Sequence, residues 1–202
     1  MANLITFIRL ILLFVLVLSI YWAGPSLQRV NMPLLIVIMV LDALDGWVAR
    51  KFNESSLFGA VFDIAVDRIV ETVLWVVLAH IGLVPIWAAI VFIVRGNIVD
   101  TIRNSSAASQ GVAPFDMMRS PLGRLLVGSH FMRGFYNTVK IVTFGWVLMI
   151  QPMPAAYPDC WAAIASWAGV VTLVLVWTSV ILCLVRGAPV VIEFLAVRKG
   201  AG

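Results

Sequence analysis

The chain has 202 residues, 62% of them hydrophobic and only 12% charged, with a mean hydropathy of +1.05. These values exclude a soluble globular domain and describe an all-α, polytopic membrane protein. At about 20 residues per crossing there is room for six transmembrane helices and short loops, so residues 1–202 read as a single membrane domain. The net charge of +4 and pI near 9.5 do not indicate nucleic acid, because the basic residues are scattered rather than gathered on a polar face; the positive-inside rule and an anionic substrate account for them.

Taken in order, Met1–Arg9 sets Asn3 as a helix cap and places Thr6 and Arg9 beside an apolar run from Leu10 to about Trp22. With no small-x-small cleavage site before Gly24-Pro25, this run reads as a retained first helix rather than a signal peptide. A turn from Gly24 to Asn31 leads to helix two, which starts near Pro33 and ends near Arg50. Lys51–Ser56 is a short polar connector that forces an antiparallel hairpin with helix three, from Leu57 or Phe58 to about His80. Arg68 and Glu71, at i, i+3, form an ion pair on that helix.

Gly82–Pro85 marks the next turn, and helix four spans about Ile86–Ile102. Asn104–Gly123 is the longest polar stretch, with room for a short interfacial helix. Helix five, about Val127–Ile150, carries His130, Arg133 and Lys140, the last two sharing a face. A proline-rich loop, Gln151–Asp159, precedes helix six, about Cys160–Val185. Beyond Arg186, the apolar run Val190–Val197 is too short to span and reads as an amphipathic surface segment. Cys160 and Cys183 read as buried small hydrophobes. With a cytoplasmic N-terminus, only Arg29 of the fourteen Lys and Arg falls outside, which predicts a site facing the cytoplasm of a multi-pass cell-membrane protein.

Within this apolar chain, four carboxylates fall at Asp42, Asp45, Asp63 and Asp67. Asp42 and Asp45 stand at i, i+3 on helix two, and Asp63 and Asp67 at i, i+4 on helix three, so each pair shares one face. An isolated carboxylate in an apolar medium costs several kcal/mol or more. The groups are therefore either protonated or hold metal. All-oxygen ligation suits Mg²⁺ or Mn²⁺, and two carboxylate pairs suggest two ions. Gly46, Ala49, Arg50 and Gly59 lie between the pairs; the small residues give a ligand access and the guanidinium suits phosphate oxygens, so a pyrophosphate-containing substrate would use the whole set.

This pattern resembles the CDP-alcohol phosphatidyltransferases, membrane enzymes of phospholipid synthesis. Asp42, Asp45, Gly46, Ala49, Arg50, Gly59, Asp63 and Asp67 meet every fixed position of DxxDGxxARx8GxxxDxxxD. The resemblance implies a six-helix, usually homodimeric membrane enzyme that transfers the phosphatidyl group of CDP-diacylglycerol to an alcohol and releases CMP. It makes Asp42, Asp45, Asp63 and Asp67 metal ligands and Asp67 the general base. Asp42, Gly46, Ala49, Arg50 and Gly59 become nucleotide contacts. Asn3, Thr6 and Arg9 look like the family's N-terminal NxxTxxR, which borders the nucleotide site.

Arg95 and Arg103, with the Ala-rich segment ending at Gly111, look like the phosphatidylglycerophosphate synthase branch, although Gly96 stands where that branch has Glu. With Arg133 and Lys140 as phosphate ligands, this favours glycerol 3-phosphate as acceptor. Arg68 directly after Asp67 looks more like the inositol phosphate branch, the runner-up; serine and phosphatidylglycerol are further alternatives. A small membrane transporter could also set carboxylates on facing helices, but it has no use for Gly46, Ala49, Arg50 and Gly59 at these spacings.

Overall fold

The computed structural model describes residues 2–51, 57–110, 126, 127 and 129–199. Six long helices carry the chain: α1 (Ala2–Trp22), α2 (Asn31–Lys51), α3 (Leu57–His80), α4 (Ile86–Gln110), α5 (His130–Ile150) and α6 (Pro158–Lys199). Single helical turns, Pro25–Gln28 and Met153–Ala156, stand at two of the connections. The described residues contain no strand. Segments at α1, α2, α5 and α6 are long and apolar enough to cross a membrane; α3 and α4 have the length, with their charged residues set within the helix body.

Three boundaries depart from the sequence reading. The first helix begins at Ala2 rather than Leu10, taking in Thr6 and Arg9. The fourth runs on to Gln110 rather than stopping near Ile102. The last is one helix through Arg186, Gly187 and Pro189 to Lys199, not a span followed by a separate surface segment. At 42 residues the last helix is about 63 Å long, about twice the hydrocarbon core of a bilayer, so its ends reach well beyond a single crossing. Cys183 is buried as expected, whereas Cys160, in the first turn of α6, is exposed.

The chain divides into two units, Met1–Val84 with Phe144–Thr172, and Pro85–Thr143 with Leu173–Gly202. In the first, α1 packs against α2 and α3. The buried positions of α1 are Thr6, Arg9, Leu13, Leu16 and Ile20, and those of α2 include Asn31, Leu35, Ile38 and Asp45. On α3 they include Val66, Val70, Leu74, Val77 and Leu78. Steps of three and four keep each set on one face. All three stripes are apolar in the middle and turn polar toward the end that carries the acidic residues.

The opposite end closes on neutral polar groups. Ser19 donates to Asn31 Oδ1 at 2.5 Å, the Asn31 amide donates to Gln151 Oε1 at 3.2 Å, and Gln151 donates to the carbonyl of Ile20 at 3.2 Å. α3 ends in a Schellman arrangement: Gly82 takes φ 77°, its N–H reaches the Ala79 carbonyl, and the Leu83 N–H reaches that of Leu78. Trp75, fully buried, meets Phe144 edge-on at 5.0 Å.

In the second unit, Val99, Val127 and Val190 form a buried cluster with Ile102 and Leu126 against it. Thr143 and Ser179 share a buried hydroxyl–hydroxyl hydrogen bond of 2.9 Å. Hydrogen bonds of this kind, with van der Waals contact, hold helices together where lipid removes the hydrophobic drive.

Candidate active site

The four acidic residues extend the buried stripes by one or two turns. Asp42 and Asp45 follow Leu35 and Ile38 on α2, and Asp63 and Asp67 precede Val70 and Leu74 on α3, so helical period alone aims both pairs at the seam facing α1. At that level α1 presents Arg9. Its side chain is 1% exposed and its terminal nitrogens touch all four carboxylates. Nη2 reaches Asp42 Oδ1 and Asp67 Oδ1, both at 2.6 Å, while Nη1 reaches Asp45 Oδ2 at 3.1 Å and Asp63 Oδ1 at 3.0 Å. Each nitrogen thus joins one carboxylate of α2 to one of α3.

Asp45 is the innermost acid, 4% exposed, and its Oδ2 also accepts a 3.1 Å hydrogen bond from Thr6 Oγ1. Asp42 and Asp63 are each 40% exposed and Asp67 is 52% exposed, so these three open outward from the seam. One carboxylate oxygen from each of Asp42, Asp63 and Asp67 lies within 4.8 Å of the others, a spacing that a single cation could bridge. The donor set is all-oxygen and anionic, as Mg²⁺ and Mn²⁺ require.

The motif's remaining positions lie on the same two helices. Gly46 and Gly59 are half-buried, and Ala49 and Arg50 stand in the last turn of α2, their side chains outside the described residues. Asn3 is exposed, one turn before Thr6 on α1. Thr6, expected at the nucleotide, has its hydroxyl directed to Asp45. The ion pair expected of Arg68 and Glu71 forms at 3.0 Å.

The cations expected at an acceptor belong to the second unit. Arg133 and Lys140 are half-buried on one face of α5 with Tyr136 between them, and the Lys140 ammonium lies 4.4 Å from the centroid of the Tyr136 ring. Arg95 of α4 rests on Gly187 of α6, where a Cβ would come within 2.8 Å of Arg95 Nε. That Nε is buried without a hydrogen-bond partner among the described residues. The side chain of Arg103 and the segment from Gly111 to Arg124 lie outside the described residues.

A further cation, Arg186, joins this group and was not singled out in the sequence. It is buried, its Nε donates to the Leu126 carbonyl at 3.2 Å, and its guanidinium carbon lies 4.9 Å from the Tyr136 ring centroid. Arg95 and Arg133 are among its electrostatic neighbours. The signal was the spacing Ser179, Cys183, Arg186, Val190, which carries one buried stripe through the arginine. Arg9 was singled out beside the nucleotide site, but its burial among the four carboxylates was not; counting back from Leu16 and Leu13 places it on the buried face.

Known proteins resemble this chain in sequence. A 40-residue stretch is 55% identical to CDP-diacylglycerol–inositol 3-phosphatidyltransferase 1 of Arabidopsis thaliana, covering 20% of this chain and 18% of that protein. A Bacillus subtilis CDP-diacylglycerol–glycerol-3-phosphate 3-phosphatidyltransferase is 31% identical over 85 residues, covering 42% of this chain and 44% of its own length. A Mycobacterium tuberculosis protein named as a probable phosphatidylglycerophosphate synthase is 24% identical over 117 residues, 56% of each chain. The chain therefore spans from under a fifth to about half of these relatives' lengths. The family model described as CDP-alcohol phosphatidyltransferase matches residues 1–185, nearly the whole of the sequence, and the chain belongs to that family.

Proposed function

We propose that the chain acts as one membrane domain that transfers the phosphatidyl group of CDP-diacylglycerol to a small phosphorylated alcohol, glycerol 3-phosphate, and releases CMP. The observation that carries the reaction is the convergence of Asp42, Asp45, Asp63 and Asp67 at one end of the α1–α2–α3 seam. Bound among these carboxylates, two Mg²⁺ or Mn²⁺ ions would offset the pyrophosphate charge and polarise the phosphorus under attack. Gly46, Ala49, Arg50 and Gly59, with Asp42, Asn3 and Thr6, hold the nucleotide half of the donor.

Asp67, the most exposed of the four acids, takes the proton of the acceptor hydroxyl. The hydroxyl oxygen then forms a bond to the phosphatidyl phosphorus as the bond from that phosphorus to the CMP oxygen breaks. Arg95, Arg103, Arg133, Lys140 and the newly found Arg186 bind the acceptor's phosphate. Lys140 and Arg186 share the Tyr136 ring, with Arg95 and Arg133 among the charges neighbouring Arg186, and an anion is favoured beside such a group of cations. The enzyme works as a homodimer in the cell membrane with this site on the cytoplasmic side.

An inositol phosphate is the second reading for the acceptor, favoured by Arg68 directly after Asp67. The short match to the Arabidopsis protein, whose name gives inositol, supports an inositol-type acceptor without the phosphate.

The donor half is tested by thermal unfolding of the purified protein with CDP or CMP. Stabilisation in Mn²⁺ that disappears in chelator is expected, and no response to either nucleotide would remove the reading. Asp67→Asn should retain that stabilisation while losing at least a hundredfold in turnover, an effect typical of a lost general base; substantial turnover in the variant would take Asp67 out of its role.

A further inference from the structure

Arg9 is an unusual counter-ion. A single guanidinium, 1% exposed, faces four carboxylates and contacts every one of them. Its Nε is buried with no hydrogen-bond partner among the described residues. A purely structural arginine would gain more from a site that satisfied all five of its N–H groups. Here one donor is left over while the two terminal nitrogens each bridge a carboxylate of α2 and a carboxylate of α3. Bridging oxygens from two helices is also what a divalent ion would do among the same groups.

We propose that Arg9 is a resident stand-in for the divalent ions: its guanidinium docks among Asp42, Asp45, Asp63 and Asp67 when no ion is bound, and must withdraw for ions to bind. This rests on reading those carboxylates as the metal site. Without some cation the four acids would repel one another and the packing of α2 and α3 on α1 would loosen at this end. Arg9 keeps that end closed. Nη2 already engages an oxygen of both Asp42 and Asp67, two of the three residues whose oxygens could surround one ion. A divalent cation bound by these oxygens would compete with the guanidinium for them, and like charge would drive the two apart. The leftover Nε leaves the docked state incompletely satisfied, which favours exchange over a permanent lock.

Competition has a measurable size. If about 90% of ion-free molecules hold Arg9 in the docked position, the apparent affinity for the ion falls about tenfold. Arg9→Met removes the competitor. Arg9→Lys keeps the charge, but a single nitrogen cannot bridge both carboxylate pairs. Mn²⁺ binding to the purified, substrate-free protein is read from the electron paramagnetic resonance of free Mn²⁺, a readout independent of turnover.

The expected result is that Arg9→Met binds Mn²⁺ at least tenfold more tightly than wild type and Arg9→Lys several-fold more tightly. In chelator, Arg9→Met should unfold at a lower temperature than wild type, and Mn²⁺ should raise its unfolding temperature by the larger increment. Equal or weaker Mn²⁺ binding by Arg9→Lys overturns the proposal, because charge alone or a positioning role would then describe Arg9; this variant also serves if Arg9→Met does not fold. Mn²⁺ binding to none of the three proteins would overturn the metal reading itself, and the proposal with it.

Discussion

Replacing Arg186 with Met should separate acceptor binding from donor binding. The methionine keeps much of the buried volume and removes three things: the hydrogen bond from Nε to the Leu126 carbonyl, the contact with the Tyr136 ring, and one of the positive charges neighbouring Arg95 and Arg133. The first two stabilise the fold by about 1.5–3 kcal/mol and about 0.5–2 kcal/mol. Relief of repulsion between like charges offsets part of that loss, so the unfolding temperature should fall by less than these two contributions together imply. The effect on the acceptor is one-sided, since a charge-assisted hydrogen bond to phosphate contributes about 1.5–3 kcal/mol, or roughly ten- to 150-fold in KM. Steady-state CMP release, with donor and acceptor varied in turn, reads both constants. The donor KM should stay within about twofold, a change worth less than 0.5 kcal/mol. Equal rises in the two constants, or no rise for the acceptor, would refute a phosphate-binding role for Arg186 and leave it a packing residue.

Two further substitutions probe the supports of the two units. Gly187→Ala puts a Cβ 2.8 Å from Arg95 Nε, so Arg95 must shift; the acceptor KM should rise with little change in unfolding temperature, and an unchanged KM would separate Arg95 from the acceptor. Asn31→Ala strips Ser19 and Gln151 of their shared partner at the far end of the first seam. It should cost about 1–3 kcal/mol in thermal or denaturant unfolding while leaving both KM values in place; altered KM values would tie that end to the site.

The acidic motif was legible because its information is local. Asp42 with Asp45 and Asp63 with Asp67 sit at helical spacing, and in so apolar a chain four such charges stand out against their surroundings. The hairpin that brings the pairs together followed from the short stretch between Lys51 and Leu57. What escaped was long-range pairing. Arg9 sits 36 residues from Asp45 and 58 from Asp67, and nothing in its neighbourhood states which carboxylates it will meet. Only its position on the face of Leu13 and Leu16 shows that it is buried.

Arg186 was hidden by a different rule. An Arg-Gly-Ala-Pro sequence reads as the end of a helix in water, where a proline costs a backbone hydrogen bond and glycine loosens the turn. In the chain as folded, α6 continues through Pro189 to Lys199, and the residues assigned to a surface tail pack instead, with Val190 buried beside Val99 and Val127. Reading the buried stripe rather than the breakers would have kept the helix and found the arginine. The glycine that looks like a helix end accommodates Arg95 against its bare Cα.

The most direct test of the account is CMP release from CDP-diacylglycerol by the purified protein with Mn²⁺ or Mg²⁺, run in parallel with glycerol 3-phosphate, inositol 1-phosphate, myo-inositol, serine and phosphatidylglycerol. The account predicts release that depends on glycerol 3-phosphate and stops in chelator. Release that depends instead on inositol 1-phosphate would keep the cation cluster as a phosphate site and move the enzyme to the second reading. Release with an unphosphorylated acceptor, or none with any acceptor, would contradict the claim that this chain joins a phosphatidyl group to a phosphorylated alcohol.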